Sequence, residues 1–120
     1  MNKKTVVIGA SAKQDRYSNK AVRMLQFHHH DVIALGFENA QINDISIQTI
    51  WQHYDNVHTI SLYLNPQRQK EYYSYILSLQ PKRIIFNPGT ENDELQQLAT
   101  QQNIDTLEAC TLVMLTTEQY

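Results

Sequence analysis

Gly9, Ala10 and Ser11 close the apolar run "TVVIG", and Lys13 and Arg16 follow before Ser18. Glycine lets backbone approach a ligand closely. Free amides of residues 10 to 12, a serine hydroxyl and a helix N-terminus at Ser18 are groups that hold a phosphate. Lysine and arginine in the same loop add positive charge. The chemistry on offer is anion binding, although the spacing also fits an ordinary strand-to-helix turn with solvated charges. It is not the G-x-G-x-x-G of a dinucleotide site, because position 11 is Ser and position 14 is Gln. Such a site also takes an acidic residue at the end of the second strand for a ribose hydroxyl. Here that stretch reads Gly36-Phe37-Glu38, and Glu38 fits only loosely.

Other reactive residues form no visible constellation. His28, His29, His30 and Asp31 are consecutive, so they do not share a helix face, and no metal site is expected. His53 and His58 have no partner by spacing. Cys110 has three readings: a thiol activated at a helix start, a pocket-lining residue, or a small buried hydrophobe. A phosphoacceptor domain needs carboxylates at the ends of strands one and three, and those ends are Gly9 and Asn65. No nucleophile–base pair is evident, so no catalytic residue is assigned.

The elements that position these residues alternate. "KTVVIG" (4–9), "DVIALG" (31–36), "VHTISLYL" (57–64), "KRIIF" (82–86) and "IDTLEA" (104–109) read as buried strands. A helix from Asn19 to about His29, capped by Ser18, carries Ala21, Leu25 and His28 on one side, with Val22 and Met24 beside them. A second spans 67–79, with Tyr72, Tyr75, Ile76 and Leu79 on one face. Thr90 begins a T-x-x-D start for a third helix through Gln102, with Leu95, Leu98 and Ala99 inward. "CTLVML" reads as a closing helical turn. Residues 39–54 alternate early and look helical late, which leaves them open. The alternation implies one α/β domain over residues 1–120, an open, doubly wound sheet of five parallel strands. Its ligand is expected beyond the carboxyl ends of the strands.

Composition narrows the function. The chain has 120 residues, 42% apolar and 18% charged, with a net charge of −2. That suits a globular domain and makes no electrostatic case for nucleic acid. No apolar run nears the roughly 20 residues a membrane span needs. The run after Lys3 and Lys4 is too short for a signal-peptide core, and the lone Cys110 suggests a reducing compartment; a cytoplasmic location is expected. Aromatic residues at 72, 73 and 75 fit a core or a homodimer contact.

The three glycines, Gly9, Gly36 and Gly89, all follow predicted strands, and Pro66 and Pro88 do likewise. The backbone-shaping residues therefore gather at one sheet edge. "VVIGAS" with "RYSNKAV", "LYLNP", "FNPGTEN" and "ACTLVML" resembles the small bacterial CoA-binding proteins, relatives of the CoA-binding N-terminal domain of the succinyl-CoA synthetase alpha subunit. The resemblance runs from Lys4 to about Leu115. It implies a Rossmann-like domain of strand order 3-2-1-4-5 that holds CoA or acyl-CoA along the strand ends. It gives Gly9 and Ser11 to the phosphates, and Arg16 and Ser18 match the family's loop-to-helix segment. It places Asn65 and Pro66, then Asn87, Pro88 and Gly89, in the turns after strands three and four, and Cys110 near the carboxyl end. Many relatives carry Asn-Pro soon after strand two, where this chain has Gly36-Phe37-Glu38-Asn39; Phe37 has two readings there, a face for a base or an interior or interface side chain. The second domain and active-site histidine segment of the synthetase have no counterpart, so ligase activity is not implied. A CoA-binding module without catalysis is the leading expectation. A small NAD(P)-dependent oxidoreductase and a regulatory domain with a relic pocket are the alternatives.

Overall fold

The computed structural model describes all residues, 1–120. In chain order the elements are β1 (Thr5–Ala10), α1 (Tyr17–Phe27), β2 (Val32–Gly36), β3 (Gln41–Ile42), β4 (Ile45–Gln48) and β5 (Thr59–Leu62). Then come α2 (Pro66–Gln69), a 3-10 turn (Lys70–Tyr72), α3 (Tyr73–Ser78), β6 (Arg83–Phe86), α4 (Asp93–Gln101), β7 (Asp105–Glu108) and α5 (Thr111–Thr116). No helix is long and apolar enough to cross a membrane.

The sheet has seven strands in the order β3-β4-β2-β1-β5-β6-β7. All neighbours are parallel except β3 and β4. The α/β, Rossmann-like class stands, but five purely parallel strands do not. The strand expected third, here β5, lies beside β1 rather than outside β2. The outer place belongs to β4, from the stretch left open. Ile42 and Ile45 pair across Asn43-Asp44, with Asn43 in the left-handed region (φ 54°), a conformation asparagine tolerates in a hairpin turn. Ile47 turns inward and is 3% exposed, while Ser46 and Gln48 face out. Residues 49–54 contain no helix.

Side chains alternate across each strand, which splits the core into two layers. Val6, Ile8, Ile60, Leu62, Ile84 and Phe86 meet Ile76, Leu79, Leu95 and Ala99 on one face. Val7, Ala10, Ala34 and Ile47 meet Val22, Leu25 and Leu115 on the other. Each fully buried Leu or Ile contributes about 1.5–3 kcal/mol. Helices thus cover both faces, as a central parallel sheet requires.

Helix starts differ from expectation. Helix α1 begins at Tyr17, its N-cap is Arg16, and Ser18 is buried in its first turn. His28 is exposed at the C-cap rather than part of the inner stripe. Asn65 caps α2 by accepting from the Arg68 amide (2.9 Å). The expected single helix over 67–79 breaks at Tyr72, whose backbone (φ −112°, ψ 4°) leaves the helical range. Helix α4 is capped by Asn92, which accepts from the Leu95 amide (3.2 Å), and not by Thr90. Thr90 instead donates its amide and hydroxyl to the Asn87 carbonyl (2.9 and 2.8 Å).

The three consecutive histidines take separate surroundings. His28 packs edge-on against Phe27, while His30 Nδ1 accepts from the Lys3 amide (2.9 Å). Burial, reinforced by positive neighbours, lowers the pKa of His30 and of His58 below the ordinary 6.5. A base with a lowered folded pKa binds its proton later in the native than in the unfolded chain. Stability therefore falls as pH drops through 6.5 and levels off below the folded pKa values. The urea midpoint should decline between pH 7 and 5, and a His30→Gln/His58→Gln double variant should show a flatter profile. An unchanged slope in the double variant would assign the pH dependence to other groups.

Candidate functional site

An open cleft of about 370 Å³ lies at the carboxyl edge, lined by Gly9, Ala10, Ser11, Lys13, Arg16, Phe37, Glu38, Tyr63, Leu64 and Arg68. It sits at the ends of β1, β2 and β5, where the chain changes its direction of travel across the sheet. A larger cavity of about 730 Å³ lies at the opposite edge, among Lys4, His53, Asp55, His58 and Lys82. Open α/β sheets bind ligands at the carboxyl edge, and the catalytically plain His53–Asp55 pair (3.1 Å) is solvent-exposed.

The floor of the cleft is a strand end that only glycine permits. Pairing between β1 and β2 slips between Ile8 and Ala10, and Gly9 takes φ 96°. A Cβ at Gly9 would lie 3.1 Å from the Tyr63 carbonyl carbon. The Tyr63 amide donates to the Ile8 carbonyl (2.9 Å) and holds the two strand ends together. Gly36 lies beneath: a Cβ there would come within 2.6 Å of the Ala10 carbonyl oxygen and 2.8 Å of an Ile47 methyl. Both glycines are demanded by backbone approach, not by turn chemistry alone. Gly89 also has positive φ (93°) but faces open space.

The loop from Ser11 to Arg16 is braced from α1. Asn19 Nδ2 donates to the Ser11 carbonyl (2.9 Å), and Arg23 Nε donates to Asn19 Oδ1 (2.7 Å). Ser11 Oγ accepts from the Lys13 amide (3.2 Å). No side chain caps α1, so its first amides keep their hydrogen-bonding capacity and the positive end of the helix dipole. Lys13, Arg16 and Arg68 make no ion pair; the single salt bridge of the chain is His53–Asp55. With Glu38 as the one carboxylate beside three cations, the cleft carries an excess of positive charge, which suits an anion.

One wall is aromatic. The Arg68 guanidinium lies 4.2 Å from the Phe37 ring centre. Phe37 meets Trp51 (5.6 Å) and Tyr72 (6.1 Å), and Trp51 Nε1 donates to the Gly36 carbonyl (3.2 Å). Burial pushes the Tyr63 phenol up to about 12. Its buried hydroxyl has no hydrogen-bond partner; the nearby Ser61 and Thr111 hydroxyls bond each other (2.8 Å).

Of the residues singled out from the sequence, Gly9, Ala10, Ser11, Lys13, Arg16 and Phe37 line this cleft. Gly36 supports its floor. Ser18, Asn65, Pro66, Asn87, Pro88, Gly89 and Cys110 do not line it. Asn65 and Pro66 start α2 and so place Arg68. Cys110 is the N-cap residue of α5, with no side-chain cap bond. Asn87 is 1% exposed, and its amide is spent inside the fold. Its Nδ2 donates to Ser61 Oγ and the Leu62 carbonyl (both 3.0 Å), and its Oδ1 accepts from the Thr111 amide (2.8 Å). Tyr63, Leu64 and Arg68 are additions. Arg68 was legible only as a polar position on a helix, since nothing in its spacing turns it toward residue 37.

These features define a class: a Rossmann-like α/β domain with a glycine-floored, cationic cleft at its carboxyl edge. A family described as a CoA binding domain matches residues 3–116, and the chain belongs to that family. An uncharacterized protein of known crystal structure is 40% identical and superposes with a TM-score of 0.97, over 100% of this chain and 99% of that one. A hypothetical protein from Pyrococcus horikoshii OT3 shares the fold at 21% identity (TM-score 0.82; 93% and 80% covered). A protein from Thermus thermophilus does so at 15% (TM-score 0.83; 99% and 91% covered). No curated protein matches the chain.

Asn87→Ala should destabilise the protein by about 2–4 kcal/mol, because it leaves buried backbone and hydroxyl groups unpaired. Urea unfolding measures this. A loss below about 0.5 kcal/mol would show that water replaces the amide.

Proposed function

We propose that the protein binds coenzyme A, or an acyl-CoA, through its diphosphate at the carboxyl edge, and serves as a binding module rather than a catalyst. The carrying observation is the meeting of the Gly9 bulge, the uncapped start of α1 and three unpaired cations on one cleft. In this reading the amides of Ala10 and Ser11 and the Ser11 hydroxyl take phosphate oxygens, and Lys13 and Arg16 neutralise them. Phe37 offers a face for the base. Gly36, Ser18, Asn65, Pro66, Asn87, Pro88 and Gly89 shape the same edge, and Cys110 stands at the start of α5. The family membership supports the ligand class. Glu38 in the cleft favours a second reading, a dinucleotide held by its ribose.

Calorimetry of the purified chain with CoA, NAD and NADP separates the readings. CoA should bind, and a Lys13→Gln/Arg16→Gln variant should bind it about tenfold more weakly or worse, since both side chains are exposed and removable without unfolding. Ser11→Ala should cost about 1 kcal/mol of affinity. Gly9→Val should cost more, with circular dichroism as the control for folding. Binding of NAD or NADP without CoA would move the protein to the second reading; no binding of any would overturn both.

A further inference from the structure

Helix α1 is apolar on two sides. Ala21, Val22 and Leu25 are fully buried in the core. Tyr17, Lys20, Met24 and Phe27 recur at i, i+3, i+7 and i+10, which sets them together on the opposite, outer side. Phe27 is 77% exposed there. Helix α5 packs beside α1, with Leu115 joining Val22 and Leu25, and leaves Val113 56% exposed. A groove of about 640 Å³ runs between the two helices and shares no lining residue with the cleft. Met24, Phe27 and Leu112 are its apolar residues. Lys20, Arg23 and His28 also line it, and no carboxylate does.

The charge and the shape together narrow the occupant. A second copy of the chain would set these basic residues against the same three, which opposes like charges. A bilayer surface is broad and flat, whereas Met24 and Leu112 are half-buried in a recess. A helical ridge of side chains reaches such a recess. Arg23 is already held in place, since its Nε donates to Asn19 Oδ1 (2.7 Å) and its Nη2 to the Gln14 carbonyl (3.0 Å). Its Nη1 is left for a carboxylate, at little further cost in side-chain freedom. Lys20 lies over the Tyr17 ring, 5.4 Å from its centre. We propose that this groove docks an acidic amphipathic helix of a partner protein. The helix lays its apolar side chains on Met24, Phe27 and Leu112 and its carboxylates on Lys20 and Arg23.

The experiment is an NMR titration of the isotope-labelled chain with a synthetic helical peptide of about 15 residues, Leu and Phe on one face and Glu on the other. Amides of residues 17–28 and 111–116 should shift, and added salt should weaken the binding. Phe27→Ala should bind at least about fivefold more weakly. Lys20→Glu should reject this peptide and accept its counterpart with Lys in place of Glu, which the wild type refuses. Phe27 and Lys20 are both exposed, so the variants keep the fold. No shift at peptide concentrations up to about 1 mM would overturn the proposal, as would equal binding of the two peptides. Sedimentation equilibrium tests the other occupants. A wild-type dimer that Phe27→Ala dissociates would give the groove to a second copy and overturn the proposal. Pelleting with phosphatidylserine vesicles, abolished in Phe27→Ala, would give it to a membrane and likewise overturn it. None of these readouts involves CoA, so their outcome is independent of the nucleotide reading.

Discussion

The side-chain amide of Asn87 ties together the carboxyl ends of β5 and β6 and the start of α5. It stands just past β6, donates to β5 and accepts from the first amide of α5. A parallel sheet leaves polar backbone groups at its strand ends, and here those ends are covered by protein. Buried groups of that kind must find partners inside the fold. Gln69 supplies a second set. It is fully buried, donates to the Leu64 and Thr90 carbonyls (2.7 and 2.8 Å), and accepts from Asn92 (2.8 Å). Asn92 in turn caps α4. The two amides hold the carboxyl ends of β5 and β6 at fixed height, and with them the turn that carries Arg68. A cleft made of loops is thereby given a rigid rim.

The second constraint is space. The ends of β1, β2 and β5 approach so closely that Gly36 has no room for a Cβ, while Gly9 combines a tight approach to Tyr63 with a φ of 96° that side chains rarely adopt. The bulge at Gly9 shifts the register of β1 on β2, and past Ala10 the chain enters the loop that lines the cleft. Charge then follows from what is missing. Lys13, Arg16 and Arg68 have no carboxylate partners. An exposed ion pair adds little to stability, so leaving these cations unpaired costs the fold little and leaves them to a ligand. The opposite edge differs. Its cavity mixes Lys4 and Lys82 with Asp31 and Asp55, so cations and carboxylates line it in equal number.

Much of the fold is legible in the chain. The β-branched runs ended by glycine or Asn-Pro mark four strands, and the alternation of elements marks the fifth, each within a residue or two of its ends. The alternation of strand and helix marks a sheet covered on both faces. What the reading lost was local competition. Ser18 and Thr90 have the side chains of helix caps, yet Arg16 and Asn92 hold those positions. Asn87 draws Thr90 into the turn after β6, and α1 starts at Tyr17, which puts Ser18 inside its first turn. Residues 41–48 were missed because Asn43-Asp44 is a weaker hairpin signal than Asn-Gly, and because the strands it joins are short.

The candidate site divides in the same way. Gly9 to Arg16 form one segment, and their order along the chain already sets glycine, hydroxyl and cations side by side. Periodicity and composition likewise determine the α/β class, since they depend on neighbours in sequence. The partners of Asn87, the stacking of Arg68 on Phe37 and the place of Glu38 depend on crossovers that bring distant strand ends together. The fold decided that β5, rather than an outer strand, lies beside β1. It thereby decided which loops share a cleft, because strand pairing is settled by packing across the whole sheet and not by any one strand's residues.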